Sequence, residues 1–262
     1  MQIVKPAHLY NIQIPRPIRK SFCLLNRISD FKYDYQFKQD HAMLDFLHNK
    51  FTGRKCFVVG MGPSLDKTNF KNIRNNIFIT SNNFYEGKKK FKINPLFNVV
   101  ADDTVLRKHY CNLIDNNHIT FLTEDASRNF LKYETIYRVM RPKKSHMDLI
   151  LIRPLGNMDT FMTLSKDLRK GAYGGMVIWS SLQVAFHLGF KEVYLLGCDC
   201  TFKKGEHFNG AQTFNRSVDD WEPVFKKYEI CKRIFEQNGR KIYNATLGGN
   251  LEVFERKSLE DL

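Results

Sequence analysis

From Lys55 onward the chain alternates between short runs of β-forming apolar residues and longer stretches with helical spacing. The runs KCFVVG (55–60), NIFITSN (76–82), LFNVVADD (96–103) and HITFLT (118–123) are each bounded by polar or turn residues. Continuous apolar runs of this kind mark strands buried on both faces. EVYLLG (192–197) and KIYNAT (241–246) repeat the pattern, and DLILIRP (148–154) is a further strand candidate. A short amphipathic helix is expected over Ala42 to Asn49. A second helix begins within GGMVIWSSLQVAFHLG, with Val177, Ile178, Leu182, Ala185 and Phe186 toward the core and Gly189 where a C-terminal cap belongs. A third is expected from Val218 to Asn238, with Trp221, Phe225, Tyr228, Cys231 and Phe235 near one face and Gly239 at its end. Residues 127–170 carry no clear period.

Apolar strands alternating with helices predict a doubly wound α/β domain, its mostly parallel sheet covered on both faces. The spacing places a single domain at residues 51–262. Before it lies an irregular, basic extension at 1–50, with Pro6, Pro15 and Pro17 and the short helix. A polar stretch from Cys200 to Ser217 reads as a short lid. Such sheets bind ligands beyond the carboxyl ends of their strands, near the point where the strand order reverses. The polar residues that follow each strand are therefore the candidates for function.

Composition narrows the class. The chain has 262 residues, 43% of them hydrophobic, which suffices for one sizeable core. No apolar run is long enough to span a membrane, and the first residues lack the apolar stretch and cleavage site of a secretory leader. The expected location is the cytoplasm, and on that expectation the six cysteines are reduced thiols. Cys198 and Cys200 lie close together, but no second Cys or His pair completes a zinc site. The formal net charge of +14 attracts polyanions. No nucleic-acid motif accompanies it. The charge is read equally as a solvated surface from Lys- and Asn-rich coding or as peripheral attraction to an anionic membrane face.

The strand ends offer specific chemistry. In G-M-G-P-S-L, Gly60 and Gly62 let backbone approach a ligand, and Pro63 and Ser64 suit a helix start, with Met61 between the glycines. A tight turn and a phosphate loop fit these residues equally. The third glycine of a dinucleotide fingerprint and the Lys of a P-loop are both absent. Asn82 and Asn83 follow the second strand, as a turn or as hydrogen-bonding partners for a base or ribose. After the third, Asp103 reads as the N-cap of the next helix, and Asp102 is open to a metal or ligand role. Gly174 and Gly175 precede a helix as a second candidate anion loop, and Asp199 is placed for a ribose hydroxyl or a metal. In the lid, His207 is either a solvent-exposed loop residue or a base, and Lys203 and Lys204 carry charge suited to a leaving phosphate. His109 and His187 belong to no legible constellation.

Taken together, VVGMGPSLD, SNN, GGMVIWSSLQVAFHLGFKEVYLLGCD and IYNATLGGNLEVFERKSLEDL resemble the MptE-like domain family. That family includes archaeal 6-hydroxymethylpterin diphosphokinases and the Maf-type motility-associated factors linked to flagellin glycosylation. G-x-G-P-S-L and Y-L-x-G-x-D are also similar to bacterial sialyltransferases of glycosyltransferase family 42, which use CMP-activated sialic acid on a Rossmann-like domain without an essential metal. The likeness covers roughly residues 54–262.

The resemblance implies a Rossmann-like transferase that binds a nucleotide-sugar donor, with a CMP-sugar favoured, and a glycan or lipid-linked acceptor in surface polysaccharide or glycoprotein synthesis. It implies no essential cofactor. The alternatives are a pterin-type diphosphokinase using ATP and Mg²⁺, with Asp102 and Asp103 as metal ligands, and a non-catalytic binding or scaffold protein on the same fold. Carried over by position, Gly60, Gly62, Pro63 and Ser64 match the nucleotide loop, Asn82 or Asn83 a donor-binding asparagine, Gly174 and Gly175 the second loop, and Asp199 the strand-end acid. His207 stands in the lid region where the general base is expected. Met61 stands where the sialyltransferases carry asparagine. The lid has Phe202, Phe208 and Phe214 in place of their tyrosines, leaving Lys203 and Lys204 to meet the leaving phosphate.

Overall fold

The computed structural model describes residues 40–114, 118–130, 149–157, 161–201, 207–208 and 221–262. Its centre is an eight-stranded sheet. The strands are β1 (Lys55–Val59), β2 (Ile77–Ser81), β3 (Phe97–Val100), β4 (Ile119–Leu122) and β5 (Leu149–Leu151) on one side, then β8 (Glu192–Leu196), β9 (Lys241–Asn244) and β10 (Glu255–Arg256) on the other. In space they run β10-β9-β8-β1-β2-β3-β4-β5, and every neighbouring pair is parallel. Two short strands, β6 (Pro154–Asn157) and β7 (Ala172–Gly174), form a separate parallel pair. The order reverses between β1 and β8, which fixes the switch point there.

The alternation within each strand explains why both faces are covered. In β1, Cys56 and Val58 enter one core while Phe57 and Val59 enter the other. In β8, Val193 and Leu195 divide from Tyr194 and Leu196 in the same way. Because the strands are in register, Tyr243, Tyr194, Phe57 and Phe78 line up across β9, β8, β1 and β2. Their ring centroids are 5.0, 5.3 and 5.5 Å apart in that order. Such an aromatic ladder contributes packing beyond its buried area.

Helix α1 (40–47) inserts Leu44 and Leu47 into the first core, and Asp40 accepts a hydrogen bond from the N–H of Leu151 at 2.9 Å on the edge strand β5. The helix expected near the end of the N-terminal extension is thus packed within the same core as the sheet. The second core is continued by α2 (Tyr85–Phe91), and a third small core lies under α3 (Asp103–Ile114) and the helical turn α4 (124–130). Helix α5 (Val177–Leu188) is buried along nearly its whole length, beneath α6 (Glu222–Gln237) and against the sheet. Phe186 and Phe235 join α5 to α6 edge-on at 5.1 Å. Gly189 caps α5 in the left-handed conformation, as its position in the sequence predicts.

One local assignment is corrected. Asp102, not Asp103, caps α3: its Oδ1 accepts the N–H groups of Thr104 and Val105, while Asp103 lies in the first turn and pairs with Arg107 at 3.0 Å. Two adjacent aspartates at a strand–helix junction differ by one residue in phase, and the strand ends at Val100, early enough to leave Asp102 outside the helix. Among the described residues no helix is long and apolar enough to cross a membrane.

Candidate functional site

The loops leaving β1 and β8 meet over the switch point. Gly60 donates its N–H to the Leu196 carbonyl at 2.8 Å, and Gly62 donates to the Gly197 carbonyl at 2.9 Å. A Cβ on Gly60 would stand 2.6 Å from the Gly197 carbonyl, and one on Gly62 would overlap the Asp199 carboxylate. The glycines therefore permit close contact between two loops of this chain. Pro63–Lys67 forms a single 3₁₀ turn. At its start Ser64 donates its N–H to Asp199 Oδ1 at 3.2 Å and its hydroxyl to Asp199 Oδ2 at 2.8 Å. Both donors of Ser64 are thus engaged by Asp199 itself, which is buried. Met61 points into the aromatic core, and only its backbone carbonyl is used, accepting the N–H of Phe208 at 2.8 Å.

The segment Asn244–Arg256 holds the Asp199 turn from behind. Cys198 donates its N–H to Thr246 Oγ1 at 3.1 Å, and Asn250 donates to the Asp199 carbonyl at 2.8 Å. Arg256 closes the segment by donating to the carbonyls of Thr246, Gly248 and Gly249. The glycines and asparagines of NATLGGN are a buttress for the strand end that carries Asp199.

Three residues that are not glycine take left-handed backbone within four residues of a strand's carboxyl end: Asn82 (φ +52°) directly after β2, Glu124 (φ +52°) two residues after β4, and Cys200 (φ +49°) four residues after β8. Such backbone is costly and concentrates at functional sites. Asn82 is fixed by β3, donating its N–H to the Val99 carbonyl at 2.8 Å and accepting from Asn98 Nδ2 at 3.0 Å. Its side-chain Oδ1 is buried without a partner, as are the hydroxyls of Ser81 and Thr123. Asn83 is half-buried in the adjoining turn, where its carbonyl accepts the N–H of Glu86.

Glu124 was not singled out by the sequence. Its carboxylate reaches the start of α5, accepting from Ser180 Oγ at 3.0 Å and from the Gly175 backbone. A Cβ on Gly174 would lie 2.8–2.9 Å from the Glu124 side chain, so the glycine leaves room for the carboxylate in this position. Burial raises the Glu124 carboxyl above its ordinary range, and the two hydrogen bonds offset part of that rise. Beside it a cavity of about 220 Å³ is lined by Glu124, Arg128, Pro154, Gly174 and Gly175, among others. A carboxylate in mid-chain leaves no periodic trace; the one available signal was the E-D that follows HITFLT, just past the strand read over 118–123.

Of the lid, Cys200, Thr201, His207 and Phe208 are described. Phe208 is seated between Phe84 and Phe91, at centroid distances of 5.8 and 5.2 Å, and anchors this stretch on Met61 and α2. His207 is thereby held half-buried beside the β1 loop. Lys203 and Lys204 lie outside the described residues. The structure thus joins the Gly60–Ser64 loop to Asp199 and, through the Phe208 N–H on the Met61 carbonyl, places His207 one residue from a contact with that loop; Asn82 and Asn83 stand at the next strand end. Asp102, an exposed cap, and the Glu124–Gly174–Gly175 group lie beyond the ends of β3 and β4.

The model of a family described as 6-hydroxymethylpterin diphosphokinase MptE-like matches residues 34–205. Among solved structures, a Maf glycosyltransferase from Magnetospirillum magneticum AMB-1 superimposes with a TM-score of 0.51 at 15% identity, over 87% of this chain and 39% of that one. The chain therefore spans well under half the length of that protein, and at this identity the likeness is one of fold. No curated protein matches the sequence.

Proposed function

Because the chain belongs to the MptE-like family, we propose that it is a transferase that binds a nucleotide-activated substrate over the carboxyl ends of β1, β2 and β8. We favour glycosyl transfer, with a nucleotide-sugar as donor and a CMP-sugar first among them. The observation that carries the reading is Asn82: at the carboxyl end of β2, next to the switch point, left-handed backbone and a buried side-chain acceptor without a partner coincide. That oxygen suits an exocyclic amine of a base or a ribose hydroxyl. The joined Ser64–Asp199 pair then forms the floor of the donor site, with the phosphate over it, and Lys203 and Lys204 are the charges that the sequence offers a leaving phosphate.

In this scheme His207 takes the proton from the acceptor hydroxyl as its oxygen attacks the anomeric carbon. The bond from that carbon to the phosphate oxygen breaks, and the nucleotide leaves with the electron pair. The charge of +14 suits an anionic, lipid-linked acceptor. The test is thermal unfolding with CMP, UDP, GDP and ATP, each with and without Mg²⁺. Stabilisation by a pyrimidine nucleotide, lost in Asn82→Ala, is expected. Indifference to every nucleotide sinks the proposal.

The family description favours one second reading, diphosphoryl transfer from ATP. Asp102 and Asp103 would be its metal ligands, yet Asp102 is engaged by two backbone N–H groups and Asp103 by Arg107. Stabilisation by ATP with Mg²⁺ but not by CMP would favour this reading over glycosyl transfer.

A further inference from the structure

Away from the strand ends, three side chains distant in sequence converge. His48 follows α1, Asp167 lies in the loop before β7, and His187 is in the last turn of α5. His187 Nε2 faces the Leu44 carbonyl at 3.0 Å, which accepts only, so this nitrogen carries the proton and Nδ1 presents a bare lone pair. That lone pair faces His48 Nδ1 at 3.3 Å, the Leu168 N–H at 3.2 Å and Asp167 Oδ1 at 3.7 Å. One lone pair accepts one good hydrogen bond, and the carboxylate oxygen has no proton to give. The His187 lone pair and the Asp167 oxygen thus face each other at 3.7 Å beside the His48 ring nitrogen, and a cation can replace the weak donors that now share this space.

We propose that His48, Asp167 and His187 form a binding site for a divalent transition-metal ion of the Zn²⁺ class. Two nitrogens bound tetrahedrally at 2.0–2.1 Å lie about 3.4 Å apart, close to the separation of the two Nδ1 atoms. The Leu44 carbonyl orients His187 as an outer partner of a metal-bound imidazole does. Arg169 fixes both oxygens of Asp167, at 2.7 and 2.8 Å, and its charge is shared with Asp45, so the Asp45–Arg169–Asp167 group is net negative. On binding, the Leu168 N–H gives up its contact with the lone pair. The His48 proton moves to Nε2, where the Asn49 side chain, 2.9 Å away, turns its oxygen to accept it. His187 is fully buried, whereas Asp167 is 20% exposed and His48 half-buried, so a water completes the fourth position from that side. The ion would tie α1 to α5 and the loop before β7.

The test uses the full chain freed of metal with a chelator and titrated with Zn²⁺. One equivalent should bind and raise the unfolding temperature. His48→Ala and Asp167→Asn, both at partly exposed positions, should each weaken binding by about tenfold or more with the far-ultraviolet circular dichroism unchanged. Co²⁺ in place of Zn²⁺ should give the visible bands of a four-coordinate ion without a thiolate charge-transfer band. No binding by the wild type, binding undiminished from wild type in both variants, or a thiolate band from a cysteine site would overturn the proposal.

Discussion

Ser64 and Asp199, at the ends of strands that flank the switch point, are joined by two hydrogen bonds, of 2.8 Å from the hydroxyl and 3.2 Å from the backbone N–H. Asp199 thus serves as an internal anion for the turn that follows the glycines. Ser64→Ala removes the shorter of the two bonds that Ser64 makes to the buried Asp199 carboxylate, and we expect a loss of about 1–3 kcal/mol in urea unfolding. A loss within experimental error would mean that water replaces the hydroxyl and that the pair does not brace the loops.

The second expectation concerns Gly62. A Cβ there overlaps the Asp199 carboxylate and stands 2.6 Å from the Gly197 carbonyl. Gly62→Ala should be strongly destabilising. In an Asp199→Ala background the same change should cost less, but not nothing, because the Gly197 clash persists. A double-mutant cycle on thermal unfolding measures this coupling. Strict additivity would show that the two loops do not meet as described.

These two relationships mark the limit of what the chain discloses on its own. The strands were legible because alternation and turn punctuation are local, and the parallel sheet followed from helices between them. That the strand ends hold polar residues was equally legible. Their partnership was not: Ser64 and Asp199 are distant in sequence, and only the pairing of β1 with β8 brings them together. The acceptor of the Gly60–Ser64 turn looked like a place for phosphate because a side chain from another strand end leaves no trace nearby. Glu124 was missed for the same reason, since its meaning comes from Gly174 and Ser180 on other elements. His187 appeared isolated because nothing local links the last turn of α5 to His48, beyond α1. The cap of α3 was misplaced by one residue for a local reason, the choice between neighbouring aspartates.

A third expectation is a specific acid sensitivity. His118, at the foot of β4, is buried with neither ring nitrogen hydrogen-bonded. Burial, with Lys88 nearby, pushes its pKa down to about 4. The unfolded ring titrates near 6.5, so between these values the unfolded state binds the extra proton. His118 therefore costs no stability from this source above about pH 7. It loses stability progressively as pH falls through 6.5, and by pH 4 the loss reaches about 3 kcal/mol. His118→Leu removes that slope. The check is urea unfolding from pH 7.5 to 4.5 in the presence of a chelator, comparing wild type with the variant. His187 contributes alike to both proteins. Parallel curves would show that His118 is hydrated or protonated in the folded state.

Glu124 offers the sharpest division between a structural and a chemical role. Its carboxylate sits at the start of α5, whose own N-cap, Met176, provides no side-chain hydrogen bond. A carboxylate in that place stabilises the helix, and this alone would account for Ser180 and Gly175 as its donors. A helix cap, however, requires neither the left-handed backbone at Glu124 nor the adjoining cavity. Glu124→Gln preserves the acceptor oxygen and the shape while removing the charge. Because burial holds the carboxyl above its usual range, the folded state keeps its proton to higher pH than the unfolded state does. Wild type should therefore lose stability relative to the variant as pH rises from about 4.5 through the folded value, and at neutral pH the variant should unfold no earlier than wild type. If Glu124 touches the substrate, turnover by the variant should fall by about tenfold or more with nucleotide affinity kept, as for loss of a residue engaged in the transition state. Unchanged turnover beside unchanged stability would reduce Glu124 to a cap, and its strain would then serve only to place that cap.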